Sequence, residues 1–376
     1  MAQLVQPWPV ADASVLAPVA EHEDLRKVLR DLLAAHADHD QVRRAADSPR
    51  GWSEELWTLL NAEMNVGTLA VPEHRGGLGY GLGVLAVVLE EAGRALLPEP
   101  LLLSSVLGAR ALLAAPQDAL PDELLAGVTE GRLVATVATT AGELTVADTG
   151  GGVTVSGRVE RVLLGAVADL LVVRAGTPEG ESLHVVDLRE AHARRRSLEV
   201  LDLTRRQATL ELAAAPAYLL AGPERAPAVA AELAALRRAA LAAEHVGMIE
   251  AMLDLTRTHA TQRHQFGRPL ASFQVIKHRL ADVLVDLERA RSVARYAAAV
   301  FDDDPAAADL PAAVAAAVAT DAVVRVAHET VQLHGGIGFT WEHPAHYYVR
   351  RALADEAVFG SARGERAHVA DLLGLR

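Results

Sequence analysis

Apolar residues along this 376-residue chain change their spacing twice. From about Glu23 to Ala115 they recur at helical intervals: Leu25, Val28, Leu29, Leu32 and Leu33 share a face, and a second run extends from Leu82 to Leu97. Between these runs, Pro72-Glu73-His74-Arg75-Gly76-Gly77-Leu78-Gly79-Tyr80-Gly81 is a turn-rich break that lacks the Gly-Lys-Ser/Thr ending of a phosphate loop. From about Pro121 to Pro223 the period shortens. Segments 133–139, 153–155, 170–173 and 183–186 are short, branched and bounded by Gly, Asp or Pro, which predicts strands and a small β domain. After Pro223 the helical period returns, with Phe273, Ile276, Leu280, Val283 and Leu287 three or four apart, and Val324, Ala327 and Val331 likewise. Four helices are predicted near 226–261, 271–301, 309–335 and 345–373, with Asp302-Asp303-Asp304-Pro305 as a solvated acidic turn. The fold class is therefore α+β, mostly α, divided at 1–120, 121–223 and 224–376 into a helical domain, a β domain and a four-helix bundle.

Composition narrows the chemistry. Apolar residues make up 51% of the chain and aromatics only 4%, which favours close-packed helices over an aromatic-rich sandwich. Cysteine is absent, so disulfides, thiolate catalysis and cysteine-ligated metals are excluded, and no metal site is predicted. A net charge of −13 argues against a nucleic-acid partner; the basic run Arg194-Arg195-Arg196 is read as a solvated loop. The first residues, Met1 to Trp8, lack a basic segment followed by an apolar one, and no uninterrupted apolar run approaches the roughly 18 residues of a membrane span, so a cytoplasmic enzyme is expected.

Two segments carry the strongest functional signal. Arg263-His264-Gln265-Phe266-Gly267-Arg268-Pro269-Leu270-Ala271-Ser272-Phe273-Gln274 joins two predicted helices, and Gln332-Leu333-His334-Gly335-Gly336-Ile337-Gly338-Phe339 joins two more. Each sets arginine, glutamine or close-approach glycine at a helix end, which suits a cofactor carrying a pyrophosphate and an adenine. The same residues also serve as helix caps or allow tight packing.

The paired segments, together with Val71-Pro72-Glu73 through Gly79, Glu90-Glu91 and Gly93-Arg94, resemble the acyl-CoA dehydrogenase family over nearly the whole chain. That resemblance implies a barrel-like middle domain, FAD as cofactor, an acyl-CoA substrate, an electron acceptor such as electron-transfer flavoprotein, and a homo- or hetero-oligomer, dimer or tetramer. It also implies that both segments hold FAD belonging mainly to a neighbouring subunit. On that reading Arg263 pairs with a phosphate, Phe266 packs on the cofactor, Gln274 hydrogen-bonds it, Gln265 belongs to the same cofactor-binding set, and the backbone of Gln332, Leu333, His334, Gly335 and Gly336 lines the adenosine.

The substrate half departs from the family pattern. The usual glutamate base falls at Phe359, and the alternative position, 26 residues before Arg263, is Arg237. Arg238 matches an arginine found near the substrate in relatives. Glu244, Glu356 and its neighbour Asp355 are the remaining candidates for a base. In the β domain the family's Thr-Glu-Pro segment is reduced to Thr139-Thr140-Ala141-Gly142-Glu143, and its flavin-bonding threonine segment becomes Arg161-Val162-Leu163. Three readings stay open: an active dehydrogenase with a displaced base, a partner subunit completing another chain's FAD site, or a scaffold that binds acyl-CoA without turnover.

Overall fold

A computed structural model describes residues 13–17, 19–116, 119–139, 142–150, 152–189 and 192–375. The expectations placed on Met1 to Trp8 and on Thr140-Ala141 lie outside the described residues. The described helices are α1 (Ala20–His36), α2 (His39–Asp47), α3 (Glu54–Met64), α4 (Leu82–Arg94), α5 (Ala109–Leu113) and α6 (Asp122–Thr129). They continue with α7 (Ala226–Gln262), α8 (Gln274–Asp303), α9 (Asp309–His334), α10 (Ala345–Phe359) and α11 (Ala362–Leu372). Seven strands form the large sheet: β1 (Ala135–Val137), β2 (Glu143–Asp148), β3 (Val153–Leu163), β4 (Leu170–Thr177), β5 (Gly180–Asp187), β6 (Ala193–Ser197) and β7 (Gln207–Ala221). Two compact units result, one of Met1–Val42, Leu82–Leu97 and Arg238–Arg376, the other of Arg43–Gly81 and Pro98–Arg237.

In the helical unit α9 lies against α8, α10 and α11. Its alanines explain how: Ala312, Ala313, Ala315 and Ala319 have no exposed surface, so neighbouring helices pack without long side chains between them. The segment Asp309–Phe339 is long and apolar enough to cross a bilayer, but 72% of its most apolar window is buried within the fold. The predicted fourth helix is two. Gly360 takes φ +119, which ends α10, and Ser361 Oγ accepts from the Gly364 amide at 3.2 Å to cap α11. The acidic turn is also more than solvated: the Asp302 carboxylate accepts the Leu82 and Gly83 amides at 2.5 and 2.9 Å and so caps the start of α4.

Backbone contact locks α4 to α7. A Cβ added at Gly247 would lie 1.7 Å from the Glu90 carbonyl oxygen, and one at Gly93 would lie 2.1 Å from that of Glu244. Beside this contact the buried Glu90 and Glu91 meet Arg26 of α1 at 2.7 and 3.0 Å. Burial pushes the Glu90 carboxyl up, and Arg26 opposes that shift.

The second unit holds the barrel. β2 pairs with β3, β3 with β7, β7 with β5 and β5 with β4, all antiparallel, and a single parallel pair between Thr145 and Gly176 closes β4 onto β2. Alternation along β4 separates two cores: Leu171, Val173 and Ala175 point into the barrel, while Leu170 and Val172 join a cluster with α5, α6 and the first turns of α7. Arg194-Arg195-Arg196 is not a loop. It forms β6 against β7, with Arg194 and Arg196 outward and Arg195 inward, donating to the carbonyls of Ala166, Ala168 and Leu188 at 3.2, 2.8 and 2.6 Å.

Intrinsic propensity says that Gly247→Ala in mid-helix stabilises by about 1 kcal/mol. The contact with the Glu90 carbonyl reverses the sign, so a loss on the order of 1–3 kcal/mol is expected in a denaturant titration. An unchanged or raised midpoint would show that α4 and α7 are not locked here.

Candidate functional site

Between α7 and α8 the chain makes a minimal hairpin, His264–Gln265 paired with Arg268–Pro269. Its two turn residues, Phe266 and Gly267, take φ +53 and +76, as a two-residue turn of the primed type requires. Glycine adopts that backbone freely; phenylalanine is strained in it, and such strain concentrates at functional sites. The strained residue is also 91% exposed. Arg263, Gln265 and Gln274 are exposed beside it. The Arg268 guanidinium lies 4.1 Å from the centre of the Phe273 ring and so supports the hairpin from within.

The second segment leaves α9 at the same corner of the unit. His259, one turn before Arg263, meets His334 with ring centroids 4.4 Å apart, and His334 meets His343 at 4.5 Å. Gly335 takes φ +63 and starts a 3-10 turn through Phe339. A Cβ built on Gly267, Gly335 or Gly336 meets nothing within 4 Å, so tight internal packing does not explain these glycines; Gly338, in contrast, packs on Val331. His334 is buried with Nδ1 2.7 Å from the Thr330 carbonyl oxygen, and Gln332 is exposed. Open backbone, exposed amides and an exposed arginine fit the pyrophosphate and adenosine of a dinucleotide.

Among the described residues, the candidates for the substrate half do not gather in this way. Glu244 is 3% exposed and bonds the fully buried Arg351, whose guanidinium also donates to the Leu96 and Leu97 carbonyls at 3.2 and 3.0 Å. Phe359 is buried at the end of α10, and Glu356 is partly exposed one turn earlier. Arg238 bonds Glu365 at 2.8 Å and Asp309 at 2.9 Å, so its guanidinium ties α7 to α11 and to the start of α9. In the barrel Leu163 is buried and its carbonyl accepts the Thr136 hydroxyl at 2.7 Å. The histidine chain from His259 through His334 to His343 has no sequence signature, because its members come from three separated segments. One clue exists: His259 is four residues before Arg263.

Residues 19–132 match the acyl-CoA dehydrogenase N-terminal domain and residues 228–373 the acyl-CoA dehydrogenase C-terminal domain. The chain is 34% identical over 343 residues to acyl-CoA dehydrogenase IpdE2 of Mycolicibacterium smegmatis, covering 91% of this chain and 96% of that one. It is 35% identical to IpdE2 of Mycobacterium tuberculosis over 350 residues, 93% of this chain and 96% of that one. Among solved structures it superposes on the ChsE4-ChsE5 complex from Mycobacterium tuberculosis with a TM-score of 0.87 and 29% identity, covering 96% of this chain and 99% of that one. It also superposes on a variant of the Tcur3481-Tcur3483 steroid acyl-CoA dehydrogenase with a TM-score of 0.84 and 31% identity over 94% and 98% of the two chains. This chain belongs to the acyl-CoA dehydrogenase family, whose members are FAD-dependent oxidoreductases.

Burial, then the imidazoles of His334, His259, His39 and His346, push His343 down to about 4 from the ordinary 6.5. The unfolded chain therefore binds the proton that the folded chain refuses, and stability falls as pH drops from about 6.5 toward 4, then levels. Thermal melts across that range should show a shallower fall in His343→Asn; an identical slope counts against the cluster. Arg351→Met should cost about 3–5 kcal/mol, because Glu244 is left buried with its cation gone, and Glu244→Gln in the same background should recover part of that loss in urea unfolding.

Proposed function

We propose that this chain is a partner subunit in a mixed acyl-CoA dehydrogenase assembly, where it completes an FAD site held mainly by a second, catalytically complete chain. The observation that carries this reading is a contrast. The segments that suit FAD are exposed, with Phe266 at 91% and Phe339 at 76% exposure, whereas the candidate base Glu244 is engaged in the core. Arg263 would pair with the pyrophosphate, Gln265 and Gln274 would lie against the cofactor with Gln274 hydrogen-bonding it, Phe266 would cover it, and the backbone of Gln332 through Gly336 would hold the adenosine. FAD, when bound, accepts the hydride from the acyl chain. The solved relatives ChsE4-ChsE5 and Tcur3481-Tcur3483, each named as a pair of different chains, support a hetero-oligomer, and the IpdE2 relatives support an acyl-CoA substrate. Electron-transfer flavoprotein or a similar acceptor takes the electrons, in the cytoplasm. With Arg238 tied to Glu365 and Asp309, its role is to position α7 beside the substrate region.

An active enzyme with a displaced base is the second reading, favoured by Glu356, which is partly exposed on α10. Visible absorption separates the two. The chain purified alone is expected to be colourless, and co-expression with a related chain that carries the missing glutamate is expected to give a yellow assembly. Arg263→Ala should weaken flavin retention in that assembly by about tenfold or more. Acyl-CoA oxidation by this chain alone, at a rate matching the assembly, would sink the partner reading and restore the active one.

A further inference from the structure

The segment 335–343 leaves α9 at a corner of the helical unit that is crowded with imidazoles. Its turns are closed by local bonds, from the Thr340 amide to the Ile337 carbonyl at 3.0 Å and from the His343 amide to the Thr340 carbonyl at 3.3 Å. Its ties across to other helices run through rings. His343 packs on His334 and His334 on His259 of α7, with centroids 4.5 and 4.4 Å apart. On the first turn of α10, His346 Nδ1 donates to the His343 carbonyl at 2.9 Å and its ring packs on Tyr347 at 4.2 Å, which in turn meets His39 of α2 at 4.7 Å.

The geometry at His343 requires a neutral ring. Its Nδ1 accepts the Ala345 amide at 3.2 Å, which takes a bare lone pair on that nitrogen and satisfies a free N–H at the start of α10. A proton on Nδ1 turns that acceptor into a second donor facing the same amide, and it sets a positive charge at the positive end of the α10 dipole. The imidazoles of His334, His259, His39 and His346 act on His343 from α9, α7, α2 and α10, so the cluster has little room for charge. Arg263 adds positive charge behind His259 and Arg350 behind His346, whereas the Glu342 carboxylate next to His343 in the chain is exposed and screened by solvent. We propose that this cluster is a proton-operated latch: with His343 neutral it holds the segment 335–343 closed on the helical unit, and with His343 protonated it releases the segment, together with the backbone that would hold the adenosine. The effect on flavin rests on the partner-subunit reading; the opening itself does not.

Amide hydrogen exchange of the full chain at about pH 7.5 and about pH 5, corrected for the intrinsic rate at each pH, tests the latch. In the closed segment His343 titrates at about 4, against the ordinary 6.5 once the segment is open, so acid favours opening and makes it about thirtyfold more frequent at the lower pH. Protection of 335–343 should fall by about that factor, while the amides of 312–319 in the middle of α9 keep theirs. His343→Asn should remove most of the pH dependence, because its side-chain oxygen still accepts the Ala345 amide but takes up no proton. Equal protection of the wild-type segment at both pH values overturns the proposal. A loss shared by the middle of α9 does the same, since the whole unit would then be unfolding, and so does a His343→Asn chain that responds to pH as the wild type does. In the yellow assembly, acidification over the same range should release FAD from the wild type sooner than from His343→Asn, and equal release from the two overturns the latch. A colourless assembly whose segment still opens with acid overturns only the flavin reading.

Discussion

A guanidinium with no exposed surface must find every partner inside the protein, and Arg351 does so at the point where three helices meet. It bonds Glu244 on α7 and the carbonyls of Leu96 and Leu97 just beyond α4, while belonging itself to α10. The neighbouring groups repeat the arrangement: His245 and Asp355 lie 3.4 Å apart in the same buried layer, and the Tyr348 hydroxyl donates to the Arg94 carbonyl at 2.7 Å. Such a layer tolerates no single deletion, because each removal strands a partner out of reach of water. It also accounts for the character of α10. The helix is fastened into the core along its inner face, and Phe359 ends it.

Much of this is legible in the sequence. Helical spacing marks α1, α4, α7, α8 and α9, and short branched runs bounded by Gly, Asp or Pro mark β1, β3, β4 and β5; β4, buried on both faces, reads as a continuous apolar run rather than an alternating one. Other elements were hidden by their surroundings. β6 reads as a basic loop because two of its three arginines face solvent; only pairing with β7 makes it a strand. The break at Gly360-Ser361 was masked by apolar spacing that continues across it on both sides. The positions of the FAD-type segments were readable as motifs, but their exposure was not, since exposure is set by what fails to cover them. Glu244 shows the opposite limit: its helix face was clear, yet its engagement by a residue 107 positions away depends on tertiary packing.

Stability and recognition draw on different parts of the helical unit. The Arg351 layer and the Gly93 and Gly247 contacts fix the middle of the bundle, and at one end the chain spends that rigidity on features a free subunit does not need. Phe266 is held in a left-handed backbone and left uncovered, and the imidazoles of His259, His334 and His343 sit close together where α7 and α9 finish. A rigid scaffold presenting strained, exposed groups is the arrangement expected when the missing contacts come from outside the chain.

Gly336 shows what this separation entails. A methyl group there would touch nothing in the subunit, so packing within the isolated chain places no demand for glycine, and a melting curve would register only the change in backbone entropy. On the proposed reading, glycine at such a position leaves the backbone open to the FAD of the assembly. In such an assembly the space beside one α-carbon would be filled from outside the chain.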